Sequence, residues 1–94
     1  MSKKRLAGHI PAVSDAIAEL VRAQAKFPKF NSAHEGYAVI KEEFDELWEE
    51  IKKNEKTRDP VRMRKEVVQV AAMALRFIED VCDLNSEIRA ADVP

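Results

Sequence analysis

Cysteine, glycine and an excess of either charge are almost missing from this chain of 94 residues. Cys82 is its only cysteine, which excludes an internal disulfide framework and a thiolate metal cage. With Gly8 and Gly36 as the only glycines, there is no Gly-rich loop of the kind that cradles phosphate. Sixteen Lys and Arg against 17 Asp and Glu leave a formal net charge of −1, so the electrostatic footprint of a nucleic-acid binder is absent. Lys3-Lys4-Arg5 is too short a cluster to change that. There is no apolar run of 18 residues to cross a membrane and no leader-like segment, so the expectation is a soluble, cytoplasmic protein without a nucleic-acid or membrane partner.

Apolar residues, by contrast, are plentiful at 46%. Ninety-four residues make a single domain, and so short a chain hides only about two thirds or less of its surface. The surplus of apolar side chains predicts a homo-oligomer, a dimer or a tetramer. Helical signals recur along the whole chain, and strand signals do not. Residues 1–9 read as a lead-in tail. A first helix is expected over 11–26, with Val13, Ile17, Leu20 and Val21 on one face, opened by Pro11 and closed by Phe27-Pro28. Ser32 and Glu35 have capping-box spacing for a second helix reaching about Lys53. Gly36 in its first turns costs about 1 kcal/mol against Ala, which points to a close approach by another backbone or by a ligand.

Residues 54–58 form a polar link, and Asp59-Pro60 restarts a helix that should run to about Leu84. Between Val67 and Ile78 only Gln69 and Arg76 are strongly polar, so this third helix should be covered on nearly all sides and lie at the centre of a subunit interface. Cys82 belongs to the same apolar pattern as a buried thiol. Residues 86–94 read as a tail. The expected fold is all-α, a helical bundle of three main helices completed by homo-oligomerisation into a four-helix-bundle-like core.

The chemistry concentrates in residues 31–54. Glu42-Glu43-Phe44-Asp45-Glu46 packs four carboxylates into five residues. Ile40, Phe44, Leu47 and Ile51 form a helical stripe, and Glu43, Glu46 and Glu50 lie along one edge of it. Acidic runs on helices are ordinarily solvated faces, and like charges at helical spacing cost only a few tenths of a kcal/mol there. Gathered in a cleft, two carboxylates about 5 Å apart at an effective dielectric of about 20 repel by about 3 kcal/mol, which a cation or a proton relieves. On the third helix Glu66 and Gln69 repeat the i, i+3 spacing of Glu43 and Glu46. Antiparallel packing would bring the two pairs face to face. Three carboxylates and an amide oxygen are hard ligands suited to Mg²⁺, with Mn²⁺ as the alternative.

Glu42, Glu43 and Glu46, followed after residues 47–65 by Glu66 and Gln69, resemble the two-part signature of the MazG-like, all-α nucleoside triphosphate pyrophosphatases, a superfamily that includes the dimeric dUTPases. The resemblance covers residues 31–80 and is closest to short, stand-alone members. It implies a Mg²⁺-dependent hydrolase that converts a nucleoside triphosphate to the monophosphate and pyrophosphate, in the service of nucleotide-pool cleansing. It further implies Glu43, Glu46, Glu66 and Gln69 as the metal set, with Glu42 as a ligand or an orienting group for water. The family pattern usually ends in Asp where this chain has Gln69, which removes one charge. A non-catalytic nucleotide-binding module or a helical protein-interaction module is the alternative expectation.

Candidate substrate contacts are Arg76, Lys53, Lys52 and Lys29 for phosphate and Trp48 for stacking on a base, although cations are usually just solvated and a tryptophan beside an apolar stripe usually packs. His34 reads as a surface group. Neither histidine completes a Glu-x-x-His pair, which excludes a ferritin-like di-iron centre.

Overall fold

In a computed structural model, described over residues 3–83, the chain forms three α-helices and a closing π-helical turn: α1 Lys3–Lys26, α2 Ala33–Ile51, α3 Pro60–Phe77 and the turn Ile78–Cys82. The expected tail at 86–94 and the helix end at Leu84 lie outside the described residues.

The cap signals operate as chemistry. Ser32 has extended backbone and its hydroxyl accepts from the Glu35 N–H at 3.1 Å. The return bond goes one residue further back than in a standard capping box, since Glu35 accepts from the Asn31 backbone N–H and side-chain amide. Asp59 caps α3 by accepting from the Val61 N–H at 2.9 Å, with Pro60 in the first turn. Between them Asn54 folds the link into a tight turn, and the Arg58 guanidinium donates to the Ile51 and Lys53 carbonyls. That cation closes the carbonyl end of α2, where the helix dipole favours it.

Two boundaries differ from expectation. Helix α1 starts at Lys3 and carries Pro11 inside it. Interior proline removes one ladder hydrogen bond and crowds the carbonyl four residues back, yet the helix continues through it to Lys26. At the far end α3 passes into i→i+5 pairing, with Asp83 N–H donating to Ile78 O at 2.8 Å. The wider turn shifts the facing of its side chains. Asp80 is buried, whereas Cys82 is exposed and not the buried thiol its pattern suggested.

Helix directions follow from paired positions. Asp15 meets Arg64, Glu19 meets Gln69 and Gln24 meets Glu79, so α1 and α3 run parallel. Gly36 lies against Phe77 while Glu46 approaches Glu66, so α2 runs antiparallel to α3. Both outer helices pack on α3 and hardly on each other. The core, Leu20, Ala72 and Met73 with Ala23, Val39, Ile40 and Leu75 against it, lies along α3.

This changes the place of the apolar surplus. Within the chain α3 buries Ala72, Met73 and Arg76, while Val61 and Val67 on it stay exposed. Exposed apolar side chains lie mostly outside it, on α1 at Ile10, Val13, Ile17 and Val21 and on α2 at Tyr37, Phe44, Trp48 and Ile51. Among the described residues no third layer covers these outer faces. The price of Gly36 is also explained. A Cβ there would lie 2.5 Å from the Phe77 ring and 3.2 Å from Phe30, so the close neighbour is a pair of aromatic rings and neither a backbone nor a ligand.

Candidate metal centre and cleft

Antiparallel packing of α2 on α3 brings Glu43, Glu46 and Glu66 together. One carboxylate oxygen from each lies within 4.8 Å of the others. Glu43 and Glu66 are half-buried and Glu46 is exposed, so the cluster sits at the mouth of the inter-helix groove. The sequence places Glu43 and Glu46 one turn apart on α2, and Glu66 answers them from the second turn of α3.

Electrostatics mark the cluster as frustrated. The Glu43 carboxyl is pushed up from 4.5 to about 7, first by burial, then by the charge of Glu46 and a hydrogen bond with it, then by Glu66 and Glu42. Glu66 is raised too, first by burial and then by Glu46, with Lys65 opposing. Burial removes the water that would stabilise a carboxylate, and neighbouring carboxylates add repulsion of the same sign. In addition, Glu43 Oε2 is buried with no hydrogen-bond partner. A buried polar atom without a partner is costly.

Beside the cluster a cleft of about 490 Å³ opens over α3, between the two outer helices. Its α2 wall carries Glu35, Val39, Glu42 and Glu43, and its floor is Gln69, Met73 and Arg76. The α1 wall supplies Glu19, Arg22, Ala23 and Lys26, followed by Phe27, Pro28 and Phe30 from the connection. One end is therefore acidic and the other aromatic and cationic. Volume and mixed lining are those of a small-molecule site.

The other expected contacts are distributed differently. Glu42 is exposed on the cleft wall. Gln69 lies on the floor with its amide nitrogen 2.7 Å from Glu19 Oε2. Arg76 reaches the cleft floor but is only 5% exposed. Its guanidinium donates to the Pro28 carbonyl at 2.8 Å, lies 3.4 Å from Asp80 and stacks 4.0 Å from the Phe30 ring centroid. Those partners occupy it as a clamp between α3 and the α1–α2 connection, so its expected role as a rim cation for phosphate is not the one its surroundings describe. Lys53 is paired with Glu50 at 2.9 Å and Lys52 with Glu49 at 3.0 Å. Lys29 is exposed at a separate, smaller hollow with Gln24, Arg76 and Asp80. Trp48 is 57% exposed and outside the cleft, because its position on α2 turns it towards the outer face. His34 is exposed, as a surface histidine should be.

The α1 wall lies outside the acidic signature of α2 and α3. Glu19, Arg22, Ala23 and Lys26 recur at helical spacing on the flank of the α1 stripe, and that periodicity was the available signal. In comparisons with known protein families, curated proteins and solved structures, the chain gives no match.

Proposed function

We propose that the protein is a Mg²⁺-dependent nucleoside triphosphate pyrophosphohydrolase of MazG-like type, converting a (d)NTP and water to the (d)NMP and pyrophosphate. The observation that carries the proposal is the convergence of Glu43, Glu46 and Glu66 from two helices, with a buried unpartnered oxygen on Glu43, beside a cleft large enough for a nucleotide. The donor set fits the cation: hard oxygens, partly hydrated, with room for substrate phosphates. Glu43, Glu46 and Glu66 would hold it, with Gln69 as an uncharged fourth oxygen donor. When bound, Mg²⁺ or Mn²⁺ supplies charge neutralisation at the phosphates and a lowered pKa for coordinated water.

The chain's own groups do the remaining work in this proposal. Glu42, on the wall next to the cluster, accepts a hydrogen bond from the attacking water and so orients it towards the α-phosphoryl group. Lys26 and Arg22, the latter beside its partner Glu19, line the cleft as exposed cations and take the phosphate-binding role first expected of Arg76, Lys53, Lys52 and Lys29. Phe27, 51% exposed at the aromatic end, offers the stacking face first expected of Trp48. A nucleobase against that ring and a triphosphate towards the carboxylates spans the cleft from end to end.

The exposed stripe of α1, with Ile10, Val13, Ile17 and Val21 all about half accessible or more, supports a homodimer or homotetramer. Sedimentation equilibrium tests it, and a strictly monomeric protein at micromolar concentration would remove that part.

The function is tested by assaying pyrophosphate release from a panel of NTPs and dNTPs with and without Mg²⁺. Metal-dependent release is expected, falling by at least about a hundredfold in Glu46→Gln and Glu66→Gln, consistent with loss of several kcal/mol of charge stabilisation. Gln69 favours a second reading, a sensor that binds nucleotide without turnover, because one ligand charge is missing. A Mg²⁺-dependent thermal shift with nucleotide but no pyrophosphate would select it. Neither response would leave a helical interaction module.

A further inference from the structure

The donor set under the proposed function is one charge short on α3, where Gln69 stands at the fourth position. The neighbouring helix carries a charge directly behind it. Gln69 Nε2 donates to Glu19 Oε2 at 2.7 Å, in a half-buried hydrogen bond that ties α3 to α1. The Glu19 side chain is only 21% exposed, pairs with Arg22, and lines the same cleft as Glu42, Glu43 and Gln69.

An amide has two ends with opposite roles: its NH₂ only donates and its oxygen only accepts. A carboxylate that captures the NH₂ decides which end is left over, and here the hard oxygen is left. The bond is also charge-assisted, which makes it strong and polarises the amide towards its oxygen. A cation ligand held in this way by a carboxylate behind it is better oriented and more basic than a loose one.

We infer that Glu19 and Gln69 act as one unit, a carboxylate relayed through an amide, which stands in for a single acidic ligand on α3. Gln69 Oε1 is the donor atom and Glu19 is its positioning residue, contributed by a helix outside the acidic signature. The inference rests on the reading of Glu43, Glu46 and Glu66 as a divalent-cation site.

Mn²⁺ binding, followed by paramagnetic resonance of the free ion and by calorimetry without nucleotide, tests it. Four proteins suffice: wild type, Glu19→Gln, Gln69→Glu and the exchange Glu19→Gln with Gln69→Glu. Glu19→Gln keeps the shape and the ability to accept from Gln69 but removes the charge, so Mn²⁺ affinity should fall about 10- to 100-fold with the helical fold retained by circular dichroism. Gln69→Glu sets two carboxylates against each other and should lower the melting temperature. The exchange restores a carboxylate–amide pair in the opposite order and should recover melting, while its Mn²⁺ affinity reports whether position 69 reaches the ion. Asp15→Asn, which loosens the other α1–α3 tie, the ion pair with Arg64 at 2.7 Å, should leave Mn²⁺ affinity unchanged.

Equal Mn²⁺ affinity in wild type and Glu19→Gln overturns the inference while leaving the metal site intact. So does an exchange protein that folds but does not regain affinity, or an equal loss in Asp15→Asn. Absence of Mn²⁺ binding in the wild type removes the metal reading and this inference together. If Glu19→Gln does not fold, Glu19→Asp decides, since it keeps the charge but withdraws it from Gln69: a folded protein with lowered Mn²⁺ affinity supports the unit, and affinity equal to the wild type overturns it.

Discussion

The groove between α2 and α3 ends in two charged clusters that treat burial in opposite ways. At the α3 C-terminal end Arg76 and Asp80 are both almost fully buried and lie 3.4 Å apart. Asp80 also accepts from the Phe30 N–H at 3.2 Å, and Arg76 donates to the Pro28 carbonyl and stacks on Phe30. At the α3 N-terminal end Glu43, Glu46 and Glu66 gather charges of one sign, and nothing among the described residues neutralises the buried Glu43 oxygen. The first cluster balances its own charge, although Arg76 Nε makes no hydrogen bond there, and the second does not balance. Two charged clusters on the same pair of helices thus divide into one that fastens the connection and one that a cation would relieve.

The largest expected effect tests the balanced end. Asp80→Asn leaves the Arg76 guanidinium buried without its counter-charge, and breaking one side of a buried pair costs about 3–5 kcal/mol. Denaturant unfolding should show that loss, and Arg76→Met should cost a similar amount, since it leaves Asp80 as the uncompensated buried charge. If Asp80→Asn unfolds like the wild type, Arg76 finds enough elsewhere, and the contrast between the two ends loses its basis.

A middle-sized effect comes from the contact that sets the spacing of α2 and α3 at that same end. Gly36→Ala gains about 1 kcal/mol of helix propensity but places a methyl group 2.5 Å from the Phe77 ring, with Phe30 at 3.2 Å behind it. Overpacking of this kind costs about 1–3 kcal/mol, so the net expectation is a loss of about 1 kcal/mol. A variant of unchanged or higher stability would show that the Phe77 ring swings aside, and that the aromatic end is looser than the acidic one.

How far the sequence foretold this contrast depends on which signals were local. The caps at Ser32 and Asp59, the break at Pro28, the acidic pair on α2 and Glu66 on α3 depend on neighbours within one turn, and they appear where periodicity places them. The partners of Arg76 could not be read, because Pro28, Phe30 and Asp80 reach it only after the π turn has changed the facing of residues 78–82. Glu19 was equally hidden. Its value comes from meeting Gln69 across a parallel helix pair, 50 residues apart in sequence, and no local pattern encodes that meeting. The start of α1 is not legible locally, because proline favours a first helical turn and α1 carries Pro11 in its interior.

The smallest expected effect concerns the acidic end itself and carries a sign that separates it from the other. Glu43 takes up its proton near pH 7 in the fold, against an ordinary value of 4.5. The folded protein therefore binds more protons than the unfolded chain between those values, and stability falls as pH rises through that window. Since Glu43 remains partly solvated, screening holds the change to about 1 kcal/mol. Melting temperature in EDTA should decline from about pH 4.5 to about pH 7 relative to Glu43→Gln, which lacks this titration, and Mg²⁺ should remove the decline because a cation offsets the same repulsion that the proton does. A decline that persists undiminished in Glu43→Gln would place its origin elsewhere. The balanced end predicts no such response to Mg²⁺, since its buried charges already face each other, so the pH window measured with and without the cation distinguishes a cluster built to fasten from one suited to bind.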